Sequence, residues 1–364
     1  MKGKILMRKK VIVHSMNLKN MESFIEYYKK HGLEKKIKLI KIESKNPYGI
    51  LLKLKKFYYM YLTKYDAIVS DYPTRLLEKS TKISIAMGHG TAIKKFPSDE
   101  ELKDEKKLAL CKSIKKADYY LTTSERQNHL EFRNEILDKE SKNTYLPLGL
   151  PKNDYYFDDK KVNKVNYEVR QKLGFHPEDF IVLYAPTWRD YKINRNALNK
   201  EDLIKLDRLL GQRAGYMIYR PHKLGGTIDE KLLDSLKLNR IINSSNLNID
   251  TFQSLCIANA LISDYSSIAI EFLPLNRPII FYLFDEEEYV AKRGINFDYN
   301  DENISPGLVV KNSNELLSAF KKLLDNEFNN FYWKTRRSIC LSNHYTYPDG
   351  KASERIWNLI LSHL

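Results

Sequence analysis

Short apolar runs recur along the chain between amphipathic stretches. In the first half they are VIVHS (11–15), IKLIKIES (37–44), DAIVSD (66–71), KISIAMG (82–88), DYYLTTS (118–124) and TYLPLG (144–149). In the second half they are FIVLYAP (180–186), YMIYRPH (216–222), RIINSS (240–245), ALISDYSS (260–267), PIIFYLF (278–284) and GLVVKN (307–312). Runs of this length, rich in Val, Ile, Leu and Tyr and bounded by polar residues, predict buried strands. The stretches between them, such as ELKDEKKLALCKSIKKA (101–117), carry the spacing of one-sided helices. Alternating strand and helix predicts an α/β fold with parallel sheets covered on both faces. The charged, turn-rich stretch 150–166 separates the halves. The pattern therefore predicts two Rossmann-like domains facing a cleft, over 1–160 and 161–364. From about residue 314 the chain is mostly helical, and its last helices are expected to return to the N-terminal domain.

Composition adds one unusual feature. The formal net charge is +15 over 364 residues, which favours anionic partners: phosphorylated substrates, nucleic acid or anionic lipid. The plainer reading is a solvated, lysine-rich surface. Cys111, Cys256 and Cys340 are few and far apart, so neither a zinc site nor a disulfide framework is expected, in keeping with a reducing cytoplasm. The basic N-terminus lacks the apolar core and cleavage site of a secretion signal. No run approaches the roughly 20 apolar residues of a membrane-spanning helix. Residues 46–65, NPYGILLKLKKFYYMYLTKY, interleave leucines, aromatics and lysines without an acid. Such a helix either lies in an anionic lipid interface or faces the core with its lysines outward.

Candidate chemistry lies beyond the strands, where open parallel sheets bind ligands. After KISIAMG comes His89, flanked by Gly88 and Gly90, with Lys94 and Lys95 following. A histidine there suits a general base or a turn-capping role, and the lysines suit phosphate. After YMIY, Arg220 and His222 stand two apart around Pro221, which puts both on one face of an extended strand end. After ALIS, Ser266 and Ser267 open a helix, and Glu271 lies one turn on from Ser267. Asp264 or Ser266 is equally suited to be an ordinary helix cap. After FIVLYA, Pro186 stops the strand and Thr187, Trp188, Arg189 and Asp190 follow. Arg189 and Asp190 suit either a ligand or each other, and Trp188 suits either the cleft or the loop's underside. No G-x-G-x-x-G follows the first strand, so a redox dinucleotide has no support.

The ordered set resembles the CDP-glycerol glycerophosphotransferases of teichoic-acid and capsule synthesis. The matching segments are GHGTAIKKF (88–96), GLPKND (149–154), LYAPTWRD (183–190), RPH (220–222), ALISDYSSIAIEF (260–272), RPIIFYLFDEEEY (277–289), RGINFDY with the later SPG (293–307) and DGKASERI (349–356). The resemblance implies a glycosyltransferase B fold, with a CDP-alditol held by the C-terminal domain. It implies transfer of an alditol phosphate to an acceptor hydroxyl with release of CMP. His89 matches the catalytic base, and Gly90, Thr91, Ala92 and Ile93 match residues lining the donor. Pro186, Thr187, Arg220, Pro221, His222, Ser266 and Ser267 match donor-binding positions. Lys152 stands where the family has arginine, and Glu271 where aspartate is usual. Gly88, Ala92 and Lys223 replace a frequent tryptophan, proline and proline.

The expected mechanism follows from these residues. Ser266 and Ser267 hold phosphate, Glu271 accepts from ribose hydroxyls, and Arg189 lies at the donor edge. Arg220 and His222 neutralise charge on departing CMP, and His89 deprotonates the acceptor. No cofactor, no metal and no nucleic acid is expected. The acceptor is expected to be a lipid-linked or polyanionic glycan, met at the inner face of the cell membrane by a peripheral protein. The rivals are a nucleotide-sugar-dependent glycosyltransferase of the same fold and a non-catalytic, basic nucleic-acid-binding protein.

Overall fold

The computed structural model describes residues 8–44, 50–79, 82–88, 90–91, 93–95, 97–130, 144–189, 191, 193, 196–222 and 225–364. The chain divides into two compact units, Met1–Phe157 with His344–Leu364, and Asp158–Asn343. Among the described residues each holds one six-stranded sheet whose strands pair in parallel.

In the first unit the strands are β1 (Lys9–Ser15), β2 (Ile37–Glu43), β3 (Ala67–Ser70), β4 (Ile83–Met87), β5 (Tyr119–Leu121) and β6 (Thr144–Leu146), in the order β2-β1-β3-β4-β5-β6. Both faces are covered, so β3 and β4 and the middle of β1 are buried, while the edge strand β2 exposes Lys38 and Lys41. Alternate residues divide between two cores. Val11, Val13, Ala67, Val69, Ile83 and Ile85 pack with Phe24 and Trp357, while Ile12, Ile68 and Ala86 pack with Tyr65, Leu77 and Ile114.

Trp357 brings the C-terminal helix Ala352–Leu361 onto the first of these faces. Its ring stacks on Phe24 at 4.4 Å and its Nε1 donates to the Phe24 carbonyl at 2.9 Å. Asp154 fixes the start of that helix by accepting from the backbone N–H of Ala352 (2.9 Å) and Ser353 (3.0 Å). Gly350 has φ +68°, and a Cβ there would lie 2.8 Å from the Asp154 carbonyl oxygen. The segments 149–154 and 349–356, distant in sequence, thus meet as the joint that returns the chain to its first unit.

His14 ends β1 inside the protein. Ser70 Oγ donates to the Tyr72 carbonyl, so His14 Nδ1 donates to Ser70 Oγ (2.8 Å) and Nε2 accepts from Ser44 Oγ (2.9 Å). Burial, with the charge of Lys56 nearby, pulls its pKa down to about 3. The unfolded chain therefore binds the extra proton first. The neutral ring's contribution is complete above the ordinary histidine pKa and drains away as pH falls toward 3, by up to ~1.4 kcal/mol per pH unit. Urea unfolding at pH 7 and pH 4.5 should show a stability loss in wild type that is smaller in His14→Gln. An equal loss in both proteins would exclude His14 as the acid-sensitive group.

The segment after β2 presents its apolar face outward. Ile50–Phe57 is α-helical and Tyr58–Leu62 continues as a π-helical turn. Leu52, Tyr59 and Met60 pack on the core. Ile50 (74% exposed), Leu51 (83%), Leu54, Phe57, Tyr58, Tyr61 and Leu62 (65%) face solvent instead. They recur at the three- and four-residue spacing of one helical side. Lys53 and Lys55 are exposed beside them.

The second unit holds β7 (Phe180–Tyr184), β8 (Gly215–Tyr219), β9 (Ile241–Asn243), β10 (Ala260–Ser263), β11 (Ile279–Tyr282) and β12 (Leu308–Val310), in the order β12-β11-β10-β7-β8-β9. Its core joins Val182, Tyr184, Met217, Ile262 and Ile280 to Leu203, Leu206, Leu316 and Phe320 of the covering helices. The order sets β10, β7 and β8 side by side, so their carboxyl ends share one edge.

Candidate functional site

That edge is stitched together residue by residue. The ladder runs one step past β7, where Ala185 N–H donates to the Ile262 carbonyl at 2.9 Å. Pro186 has no N–H and ends it. Thr187 N–H then donates to Asp264 Oδ1 at 2.7 Å, and Ser263 Oγ donates to the Ala185 carbonyl at 2.8 Å. On the other side Arg220 N–H donates to the Tyr184 carbonyl at 2.8 Å. Asp264 also accepts from its neighbour's backbone, Tyr265 N–H at 2.7 Å. It therefore joins two strand ends rather than capping a helix. Ser267 is the capping residue of the short helix Ile268–Phe272, without a side-chain cap.

Arg189 turns inward and is buried. Its Nε and Nη2 donate to Asp285 Oδ2 and Oδ1, both at 2.8 Å, in a two-pronged pair, and Nη1 donates to the Thr187 carbonyl. Nη1 also lies 2.9 Å from Asp264 Oδ2, an ion-pair contact without the angle of a directed hydrogen bond. All three side chains are buried, beside the stacked rings of Tyr265 and Tyr289. Burial alone would lower the guanidinium pKa, but Asp264 and Asp285 hold it well above the usual range. Removing one member of such a buried pair typically costs about 3–5 kcal/mol. Arg189, expected at the substrate, directs its hydrogen bonds to the protein's own strand ends. Asp190 lies outside the described residues.

Trp188 lies over the turn that follows β8. Its ring is 6.0 Å from that of His222, at an interplanar angle of 24°. Gly225 N–H donates to the His222 carbonyl at 2.9 Å to close the turn. Gly225 has φ +142° and meets the indole directly, since a Cβ there would be 3.6 Å from Trp188 Cδ1. At Gly226 a Cβ would fall 2.0 Å from the Tyr219 hydroxyl, which accepts from Thr227 N–H (2.8 Å) and Ile228 N–H (3.0 Å). A side chain at Gly226 would displace that hydroxyl from its two donors.

His222 itself is exposed and Pro221 is half-buried. Arg220, also half-buried, donates to the Ile249 carbonyl (3.2 Å), Ser254 Oγ (3.1 Å) and Thr251 Oγ1 (3.2 Å), around the first turn of the helix Thr251–Ile257. Ser266 and Ser267 are half-buried. Ser267 Oγ donates to Glu271 Oε1 at 3.0 Å, and Glu271 is buried. Pro186 is buried, and Thr187 Oγ1 is out of reach of solvent with no hydrogen-bond partner among the described residues. A cavity of about 360 Å³ opens beside this edge at the end of β11, lined by Asp285, Glu286, Glu287, Glu288 and Lys311 among others. Its carboxylates oppose an anionic ligand.

Of the residues expected in the first unit, His89 and Ala92 lie outside the described residues. Gly90 is half-buried. The side chains of Thr91 and Ile93 are packed inside, with Thr91 Oγ1 3.3 Å from Thr123 Oγ1. Lys152 is half-buried in the 3-10 turn Pro151–Phe157; burial raises the Asp71 pKa, and the charge of Lys152 is a smaller influence against that rise. Sequence reasoning missed Asp285, Tyr265 and Tyr289 as partners of Arg189. The only signal was their presence in the quoted segments.

Comparison with known proteins follows the same outline. A family model described as CDP-Glycerol:Poly(glycerophosphate) glycerophosphotransferase matches residues 8–362. The chain is 28% identical over 280 residues to a teichoic acid poly(glycerol phosphate) polymerase of Bacillus spizizenii, covering 74% of this chain and 68% of that protein. It is 25% identical over 364 residues to a teichoic acid glycerol-phosphate transferase of Staphylococcus aureus, covering 94% and 89%. It spans only 39% and 36% of two Staphylococcus aureus ribitol-phosphate polymerases that it also matches. Among solved structures it is similar to the wall teichoic acid polymerase TagF, with a TM-score of 0.72 at 22% identity, covering 97% of this chain and 88% of that one. At that identity the likeness speaks for the fold, of glycosyltransferase B type.

Proposed function

This chain belongs to the CDP-glycerol:poly(glycerophosphate) glycerophosphotransferase family and is a transferase of that kind; on that premise we propose that it moves glycerol phosphate, or a related alditol phosphate, from a CDP-alditol to a hydroxyl of a growing cell-surface glycan. The observation that carries the site assignment is the shared edge of β8, β7 and β10, with an exposed histidine, two serine hydroxyls and an arginine on neighbouring strand ends. Such edges are where parallel α/β sheets take ligands.

In the proposed reaction the acceptor oxygen attacks the phosphorus that bears the alditol. The bond from that phosphorus to the bridging oxygen breaks, and CMP leaves with the electron pair. His89 takes the acceptor proton. His222 and Arg220 stabilise the charge gathering on CMP. Ser266 and Ser267 hold phosphate oxygens, which requires Ser267 to exchange its present bond to Glu271. Glu271 would then accept from ribose hydroxyls. A buried hydroxyl without a partner is costly, and a phosphate oxygen reaching Thr187 Oγ1 would relieve that cost.

We further propose that the protein works against the inner face of the membrane, on a lipid-linked or polyanionic acceptor. Among the described residues no helix is long and apolar enough to cross a membrane. The outward apolar stripe of residues 50–62, with exposed Lys53 and Lys55, has the composition of a helix that lies in an anionic lipid surface.

One experiment tests both parts. Purified protein is given CDP-glycerol, CDP-ribitol and UDP-sugars, with a glycan acceptor, with and without vesicles containing phosphatidylglycerol. CMP should appear from a CDP-alditol. UDP release from a UDP-sugar instead would replace the donor assignment. Binding to the anionic vesicles should weaken with salt and fall sharply in Leu51→Glu/Leu54→Glu. Unchanged vesicle binding by that variant would remove the stripe from the membrane proposal.

A further inference from the structure

We infer that Arg189 is the positioning residue of the donor edge: its buried fork sets where the ends of β7, β10 and β11 stand relative to one another. The inference rests on the reading that this edge binds the donor. Three separate strand ends send a group to one guanidinium. β7 sends the Thr187 carbonyl, β10 sends Asp264, and β11 sends Asp285. Backbone pairing runs only one residue past β7 and β11, through Ala185 N–H to the Ile262 carbonyl and Leu283 N–H to the Val310 carbonyl. Past those residues side chains tie the loops together, and among the described residues Arg189 reaches all three.

The geometry connects this fork to the groups that face solvent. Trp188 is the residue before Arg189, and its ring lies on the His222 turn. Ser266 and Ser267 follow Asp264 and Tyr265 directly, and Asp264 is held both by Arg189 and by Thr187 N–H. Moving the guanidinium therefore moves both the indole and the serine turn. Lysine cannot replace it. A single ammonium lacks the planar fork that engages both oxygens of Asp285 while reaching the Thr187 carbonyl. Buried aromatic rings on one side, Tyr265 and Tyr289, leave the fork one orientation. Positional errors of about 1 Å at a reacting site can cost ~100-fold in rate, so a loop held this way is a means of setting affinity without touching the ligand.

The test uses Arg189→Lys, Arg189→Met and the near-isosteric Asp285→Asn in the full chain, each checked for folding by near-ultraviolet circular dichroism. Tryptophan emission, with Trp188→Phe to isolate the Trp188 signal from Trp333 and Trp357, reads the loop without any ligand. Calorimetric titration with CDP-glycerol reads the edge. Folded Arg189→Lys should show a shifted Trp188 emission and CDP-glycerol affinity lowered about 10-fold or more, with Asp285→Asn moving both in the same direction. If neither arginine variant folds, Asp285→Asn decides alone. A folded variant with wild-type emission and wild-type affinity would overturn the inference. Wild type that fails to bind CDP-glycerol would fault the donor reading, while the emission shift would still decide the positioning role.

Discussion

His89→Ala should lower turnover of CDP-glycerol about 100-fold or more, the range for loss of a general base. In sequence this residue comes two positions after Met87, where β4 ends, and between two glycines. Met87 before it and Thr91 and Ile93 after it are buried. The expected signature is a fall in kcat with CDP-glycerol affinity close to wild type, because a base acts on the acceptor and binds the donor little. His89→Gln, which keeps volume and hydrogen bonding but takes up no proton, should be as slow as alanine. Near-normal turnover in either folded variant would sink the assignment.

The strands were legible because burial on both faces demands continuous apolar runs, and few other structures do. Each of the twelve runs contains the core of a strand, and Pro186 marks where β7 stops pairing. The contents of the strand ends were legible as residue types. What they touch was not. Arg189 meets Asp285 across 96 residues of chain, and nothing in a local pattern distinguishes that partner from the adjacent Asp190. Asp154 meets Ser353 across 199 residues, so the two segments that carry the resemblance at 149–154 and 349–356 gave no hint of being one joint. Residues 50–62 fail for a different reason. Amphipathic spacing says that a helix has two sides, and it does not say which side the rest of the protein covers. There the apolar side faces out, a sign that only the packing of Leu52, Tyr59 and Met60 supplies.

The second large effect is expected at His222. His222→Ala should lower kcat about 100-fold while the KM for CDP-glycerol changes far less, as for an interaction made mainly in the transition state. The imidazole is exposed, so its removal opens no cavity in the core. The turn beneath it is fixed by other groups: the Gly225 N–H bond to the His222 carbonyl, and the Tyr219 hydroxyl held by Thr227 and Ile228. Trp188, which the ring overlies, supplies an internal check, since a small emission change with the rest of the fold intact separates lost chemistry from a collapsed loop. Arg220 two residues earlier is tied to the start of the helix Thr251–Ile257. It therefore brings fixed positive charge close to the edge, whereas His222 brings an exposed imidazole. Charge that develops only as the bond breaks rewards a donor placed at that point, and rewards it little in the ground state. If KM rose and kcat stayed near wild type, His222 would be holding the donor equally before and during reaction, and stabilisation of the leaving CMP would have to come from Arg220 alone.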